Sequence, residues 1–250
     1  MSGHSKWSQI KRQKGANDTK RGAVFTKIGR EISIAAREGG GDPDANYRLR
    51  LAVEKARSVN MPADNIKRAI ERAAGGSAAE QYEEIVYEGY GPGGVALLVE
   101  TATDNRNRTA ADVRSVFNKN GGQLAGAGAV AWQFEPRGVV AVARDGRDPD
   151  EVALAAIDAG ADDVDTEGDP IEIMTAPGNL EQLRKALEGG GATIEAAEVA
   201  MQPTTPIEVD GHVARQNLRL IEALEDLDDV QRVTANFDLP AEVLAEASAV

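Results

Sequence analysis

The stretch Tyr87-Glu88-Gly89-Tyr90-Gly91-Pro92-Gly93-Gly94-Val95-Ala96-Leu97-Leu98-Val99 decides what kind of chain this is. Its glycines match the spacing of the dinucleotide-binding fingerprint and follow a strand-like run from Ile85 to Gly89. A phosphate cradle needs such glycines to open a helix, because the helix amino terminus supplies the N–H groups and the dipole. Here they run into Val95 to Thr101, which reads as a second strand, and the acidic residue expected at the end of the next strand of a βαβ unit is missing. The stretch predicts a hairpin closed by Gly91-Pro92-Gly93-Gly94.

Upstream of the hairpin the pattern is helical. Val24, Phe25, Ile28, Ile32 and Ala35 form one apolar stripe at 3.6-residue spacing, stopped by Gly39-Gly40-Gly41. Asp42-Pro43-Asp44 opens a second helix through about Val59, with Leu49, Ala52, Val53 and Ala56 inward, and Pro62 starts a third that ends at Gly75-Gly76. Residues 1 to 20 lack apolar periodicity and predict a flexible basic arm. Residues 1–76 therefore form a basic helical domain with a flexible amino-terminal arm.

Downstream, short β-rich runs alternate with helices, and only Lys119 and Lys185 remain of the lysines. A helix is expected from about Arg108 to Asn120, and Gly121, Gly122, Gly126 and Gly128 look like a hinge. Val130 to Glu135 and Val139 to Ala143 are expected to pair across Pro136-Arg137-Gly138. With helices at 149–159 and 180–187, a short acidic strand before another near 171–174, and a strand at 193–201, residues 129–202 read β-β-α-β-β-α-β, a ferredoxin-like sandwich with one extra strand. A strand near Ile207, a helix from His212 to Leu227 and a strand from Val230 to Phe237 are too little to stand alone. The fold class expected is α+β and multi-domain: the three-helix domain, a split ferredoxin-like domain of residues 77–128 plus 204–250, and a second, inserted one of residues 129–203.

Charge divides along the same line. The chain of 250 residues has a net charge of −13 and a pI near 4.7. Residues 1–76 hold 16 Lys+Arg against 8 Asp+Glu, net +8, and residues 77–250 hold 12 against 33, net −21. Such asymmetry points to a basic module aimed at polyanions on an acidic body that is not.

Enzyme readings find little support. With no cysteine and only His4 and His212, neither a thiolate site nor a histidine-centred metal or nucleophile set can be assembled. The carboxylate runs Asp162, Asp163, Asp165 and Glu225, Asp226, Asp228, Asp229 read as solvated faces or turns, and an acidic metal- or nucleotide-dependent enzyme is the weakest alternative. No catalytic residue, metal ligand or cofactor is assigned. No apolar run approaches the roughly 18 residues needed to cross a bilayer. The terminus MSGHSKWSQIKRQK has no apolar core before a cleavage site, so the expected location is the cytoplasm, without membrane partners. A mitochondrial transit peptide is the alternative for this basic, acid-poor stretch, and the stripe from Val24 to Ala35 argues instead for a folded element.

The first 30 residues carry eight Lys+Arg and one acid. Lys20, Lys27, Arg30 and Arg37 share one helix face opposite the Val24, Ile28, Ile32 stripe. Cations a turn apart can meet successive phosphates and release counterions, the main source of affinity that ignores sequence. Trp7, among Lys6, Lys11 and Arg12, can stack on a base or pack on the helices; ten aromatics in all leave no row for an RNA-stacking platform. The nucleic-acid-binding residues expected are Lys6, Trp7, Lys11, Arg12, Lys14, Lys20, Arg21, Lys27, Arg30 and Arg37.

Gly3-His4-Ser5-Lys6-Trp7, Ile10-Lys11, Lys20-Arg21-Gly22, Phe25-Thr26-Lys27, Arg30-Glu31-Ile32 and Asn60-Met61-Pro62 with Asn65-Ile66 resemble the YebC family. That family includes the mitochondrial translational activator of cytochrome c oxidase. The resemblance continues through Tyr87 to Gly94, Thr103-Asp104-Asn105, Arg108-Thr109 and Asn120-Gly121-Gly122, over essentially the whole chain. It implies a helical and two α+β domains around a cleft, no enzymatic activity, and one of two roles: a DNA-binding transcriptional regulator, or a ribosome-associated factor that binds ribosomal RNA and assists synthesis of difficult sequences such as proline-rich ones. The partner expected is therefore duplex DNA or ribosomal RNA. No base-reading recognition helix is evident in the sequence.

Overall fold

The computed structural model describes residues 18–74 and 82–248. The expected basic arm, with Lys6, Trp7, Lys11, Arg12 and Lys14, lies outside the described residues. The first three helices, α1 (Asp18–Gly39), α2 (Tyr47–Ser58) and α3 (Ala63–Ala74), close on a core of their own built around Ile28, Ile32, Leu49, Val53, Met61 and Ile66. Val24, placed on the core stripe by its spacing, is 36 % exposed, and Phe25 packs on the core in its place. Ile34, off that stripe, is buried as well, so α1 is covered on more than one side.

Two asparagines set the turns of this region. The second helix begins at Tyr47 rather than Asp42, because residues 42–46 form a turn ended by the cap Asn46. Its Oδ1 accepts from the Leu49 N–H at 3.1 Å while Nδ2 donates to the carbonyls of Ala35 and Gly40 at 2.7 and 2.8 Å. One buried side chain thus caps α2 and the end of α1. Gly39 leaves the space this needs, since a Cβ there would stand 2.6 Å from Asn46. Between α2 and α3, Asn60 takes a left-handed φ of 59°, a conformation asparagine tolerates after a helix end.

The remaining elements are β1 (Glu83–Tyr90), β2 (Ala96–Thr103), α4 (Arg106–Lys119), β3 (Gln123–Leu124), β4 (Phe134–Val142), α5 (Pro149–Asp158), β5 (Asp163–Asp165), β6 (Ile171–Thr175), α6 (Leu180–Gly189), β7 (Ile194–Pro203), β8 (Ile207–Glu208), α7 (Gly211–Glu225), β9 (Val230–Ala235), β10 (Phe237–Asp238) and α8 (Ala241–Ser248). They form two four-stranded antiparallel sheets, β3-β1-β2-β9 and β5-β6-β4-β7, and the parallel pair β8-β10. The first sheet packs on α4 and α7 through Leu97, Val99, Val113, Phe117, Leu220 and Val233. Its central strand is buried on both faces, with Ala96 and Leu98 meeting Val130 and Phe134 on the other side. That explains the unbroken apolar run of Val95 to Val99.

The second sheet corrects one expectation. Residues 130–143 hold one long strand, not a hairpin across Pro136-Arg137-Gly138. Pro136 is tolerated because β6 pairs only with Gly138 to Val142, so at Pro136 the strand has a neighbour on one side alone, β7. With that strand continuous, the order is β-α-β-β-α-β without an extra strand, and the sheet order is the ferredoxin-like one. Phe134 at the start of this unit pairs with Pro203 at its end, and the first sheet takes strands from both sides of it in the chain.

The helical region is fastened to the second sheet through α2 and α6. Tyr47 and Leu51 pack on that sheet's core, Arg184 bridges to Glu54 at 2.8 Å, and Arg50 stands 3.6 Å from Glu181. Burial, reinforced by the charge of Glu181, pushes the Tyr47 hydroxyl up to about 12.

Candidate nucleic-acid interface

Two clefts open side by side along α1, and Arg30 and Tyr82 line both. The first, of ≈ 310 Å³, lies between α1 and α3. Its apolar surface comes from Phe25, Met61, Ala69 and Ala73, and the helices come close at Ser33, whose hydroxyl reaches the carbonyls of Gly29 at 2.9 Å and Ala69 at 3.5 Å. Arg37, Arg68 and Arg72 stand around it, all exposed. Among the described residues Arg68 donates only to neutral oxygens, the Asp64 carbonyl at 3.1 Å and Asn65 Oδ1 at 3.2 Å. Among the described residues no carboxylate pairs with Arg68 or Arg72.

The second cleft is acidic. Asp104, Asp112, Asp226 and Asp228 line it, with Asp229 at its base. Asp229 is a knot between three elements. Its Oδ1 accepts from Arg30 at 2.7 Å, and its Oδ2 accepts from Arg108 at 2.7 Å, from Thr109 at 2.6 Å and from Thr103 at 3.2 Å. Burial alone would push this carboxyl up, but the hydrogen bonds from Thr109 and Arg108 and the charges of Arg30 and Arg108 outweigh it and hold it below the usual carboxylate range. Arg30 also donates to the carbonyls of Asp228 at 2.6 Å and Ala102 at 3.3 Å, and its guanidinium lies 5.2 Å from the Tyr82 ring centre. The side chain is only 12 % exposed.

The structure thus divides the expected cationic face. Lys20 and Arg21 lie on the first turn of α1, and nothing further is described of their side chains. Lys27 donates to the Glu225 carbonyl and Arg30 to the Asp229 corner, so both point to the sheet end of the molecule. Arg37, two further turns along, is exposed at the first cleft. Arg68 and Arg72 were not among the residues expected from sequence, although their i, i+4 spacing opposite Ile66 and Ile70 was readable. Asp229 sits in a carboxylate run that reads as solvated, and no local signal separates it from Asp226 or Asp228.

The glycine-rich stretch has another job. Glu88 is buried and accepts backbone N–H groups from Gly128 at 2.6 Å, Val130 at 2.7 Å and Ala131 at 2.8 Å. Burial pushes its carboxyl up, and the backbone donors more than reverse that, leaving it lowered. Gly89 and Gly91 admit close neighbours, since a Cβ would stand 2.6 Å from the Phe117 ring and 2.0 Å from Asn217 Oδ1. Gly93 and Gly94 turn the hairpin at φ of 73° and 79°. These glycines pack and turn the chain; they do not open a helix.

Comparison with known proteins agrees with this architecture. Residues 5–76 match the family model described as the TACO1/YebC protein N-terminal domain, and residues 82–237 match that of the TACO1/YebC second and third domain. A protein of Rubrobacter xylanophilus named "Probable transcriptional regulatory protein" is 55 % identical, covering 99 % of this chain and 100 % of its own. One of the same name from Moorella thermoacetica is 56 % identical over 98 % of both. The crystal structure of a conserved hypothetical protein from Aquifex aeolicus superposes with a TM-score of 0.86 at 44 % identity, over 91 % of this chain and 94 % of that one. The chain belongs to the TACO1/YebC family.

Proposed function

We propose that this protein is a non-enzymatic regulator of gene expression that acts at transcription by holding nucleic acid through its helical region. The observation that carries the reading is the arginine rim between α1 and α3, where Arg68 and Arg72 have no carboxylate partner among the described residues. Exposed cations that no carboxylate neutralises are available to the phosphates of a polyanion, whose counterions they release. The relatives' shared name supports regulation of transcription. The basic sequence before α1, with Lys6, Trp7, Lys11, Arg12 and Lys14, would extend the same contact, with Lys20, Arg21 and Arg37 continuing it along α1.

Such a surface grips the backbone, so the protein should discriminate between unrelated duplexes by far less than the roughly 10³ typical of operator binders at physiological salt. Crosslinking in cells followed by sequencing of the bound nucleic acid tests the reading. DNA or nascent transcripts are expected. Recovery of ribosomal RNA in their place would move the protein from transcription to translation, since ribosomal RNA presents the same phosphate charge.

A further inference from the structure

We propose that the groove between α1 and α3 receives one unpaired nucleotide, with the base inside and the flanking phosphates on Arg68 and Arg72. The inference rests on the nucleic-acid reading above and gives its substrate class: single-stranded or bulged, rather than fully paired.

Shape is the first argument. Duplex sequence is read by a convex element, such as a helix, entering a major groove about 12 Å wide. Here the cations surround a concave cleft, which accepts a protruding group instead. Its ≈ 310 Å³ lies at the lower end of the roughly 300–1,000 Å³ usual for small-ligand sites, the scale of one nucleoside and not of a stacked pair.

The lining fits a base as well. Phe25 and Tyr82 bring aromatic rings to the lining, and Asn65 and Ser33 bring polar groups that can meet a base edge. Unpaired bases are recognised in this way, by stacking together with edge hydrogen bonds. Arg30 is fixed by Asp229 and lies against the Tyr82 ring, so that end of the groove is set before any ligand arrives. Beyond it the acidic cleft repels phosphate, which confines the strand to the α3 side. Gly29 completes the case: it lines the groove, and a Cβ built there would meet no atom of the described residues within 4 Å, which leaves space beside it.

Gly29→Phe fills that space without altering charge, and loss of a mid-helix glycine does not weaken α1. Binding of the full chain is measured by fluorescence anisotropy to three RNA probes: oligouridylate, a fully paired duplex, and that duplex with one bulged uridine. Gly29→Phe should weaken binding to oligouridylate and to the bulged duplex about tenfold or more, the scale of one lost stacked base, and leave the paired duplex within about twofold. Gly29→Ala should bind all three like the parent. Unchanged oligouridylate binding by Gly29→Phe, or equal loss on all three probes, overturns the groove assignment and leaves the nucleic-acid reading standing. Failure of the parent to bind any of the three overturns the groove assignment, and failure to bind duplex DNA and oligodeoxythymidylate as well overturns the nucleic-acid reading. Should Gly29→Phe not fold, photocrosslinking of 4-thiouridine in the bulged position to the parent decides: crosslinks at Phe25 or Tyr82 are expected, and a crosslink map without α1 and Tyr82 overturns the proposal.

Discussion

The two clefts on either side of Arg30 and Tyr82 contain arginines in different states. In the acidic cleft Arg30 and Arg108 are committed to Asp229, at 2.7 Å each. In the α1–α3 groove, among the described residues, Arg68 reaches only neutral oxygens and Arg72 has no carboxylate partner. The same side chain is a fastener in one place and a free charge in the other. Whether an arginine can bind a ligand depends on what its fold has already placed within reach, and residue type alone does not reveal that.

The difference can be broken most severely at Asp229. Asp229→Ala removes the acceptor shared by two arginines and two threonines, and breaking a buried ion pair from one side costs about 3–5 kcal/mol. Urea unfolding at neutral pH should show that loss, and a change under about 1 kcal/mol would mean the knot is dispensable. Arg30→Ala leaves Asp229 its other three partners and should cost less, about 1–3 kcal/mol. Arg72→Ala, on the opposite side of the comparison, should stay within about 0.5 kcal/mol, as exposed substitutions do.

Acid sharpens the same contrast. Asp229 and Glu88 both have folded-state pKa values below their unfolded ones. Their contribution is therefore present above the ordinary carboxylate range, near pH 4, and is lost as pH falls through the lowered folded values. Stability should decline below about pH 4, and Asp229→Asn and Glu88→Gln should each flatten that decline while lowering stability at neutral pH by about 1–3 kcal/mol. Parallel acid curves for parent and variants would contradict the assignment. An effect of the same size, about 1–3 kcal/mol in the same unfolding assay, is expected for Gly89→Ala, whose Cβ would crowd Phe117 and the Gln123 carbonyl.

Much of the fold was legible because it rests on local pattern. The stripe of Ile28 and Ile32, the Asn60-Met61-Pro62 break and the hairpin at Gly91 to Gly94 each declare themselves within a few residues. Pro136 misled because its tolerance depends on which strand lies beside it, a fact of sheet order. The site was less legible. A helical wheel places Lys27 and Arg30 opposite the core stripe, and they are; the wheel does not show that Glu225 and Asp229, about 200 positions later, cover that face. Arg68 and Arg72 were readable as an exposed pair, and only the packing of α3 against α1 makes them the rim of a groove.

On the reading proposed above, Arg68 and Arg72 supply charge to phosphate while Arg30 supplies structure. The direct test is the salt dependence of oligouridylate binding by the parent and by Arg68→Gln/Arg72→Gln. Each phosphate contact to a single strand contributes about 0.7 to the slope of log affinity against log salt. The double variant should unfold like the parent and show a slope shallower by about 1.4. Identical slopes would contradict the claim and return these arginines to the status of solvated surface.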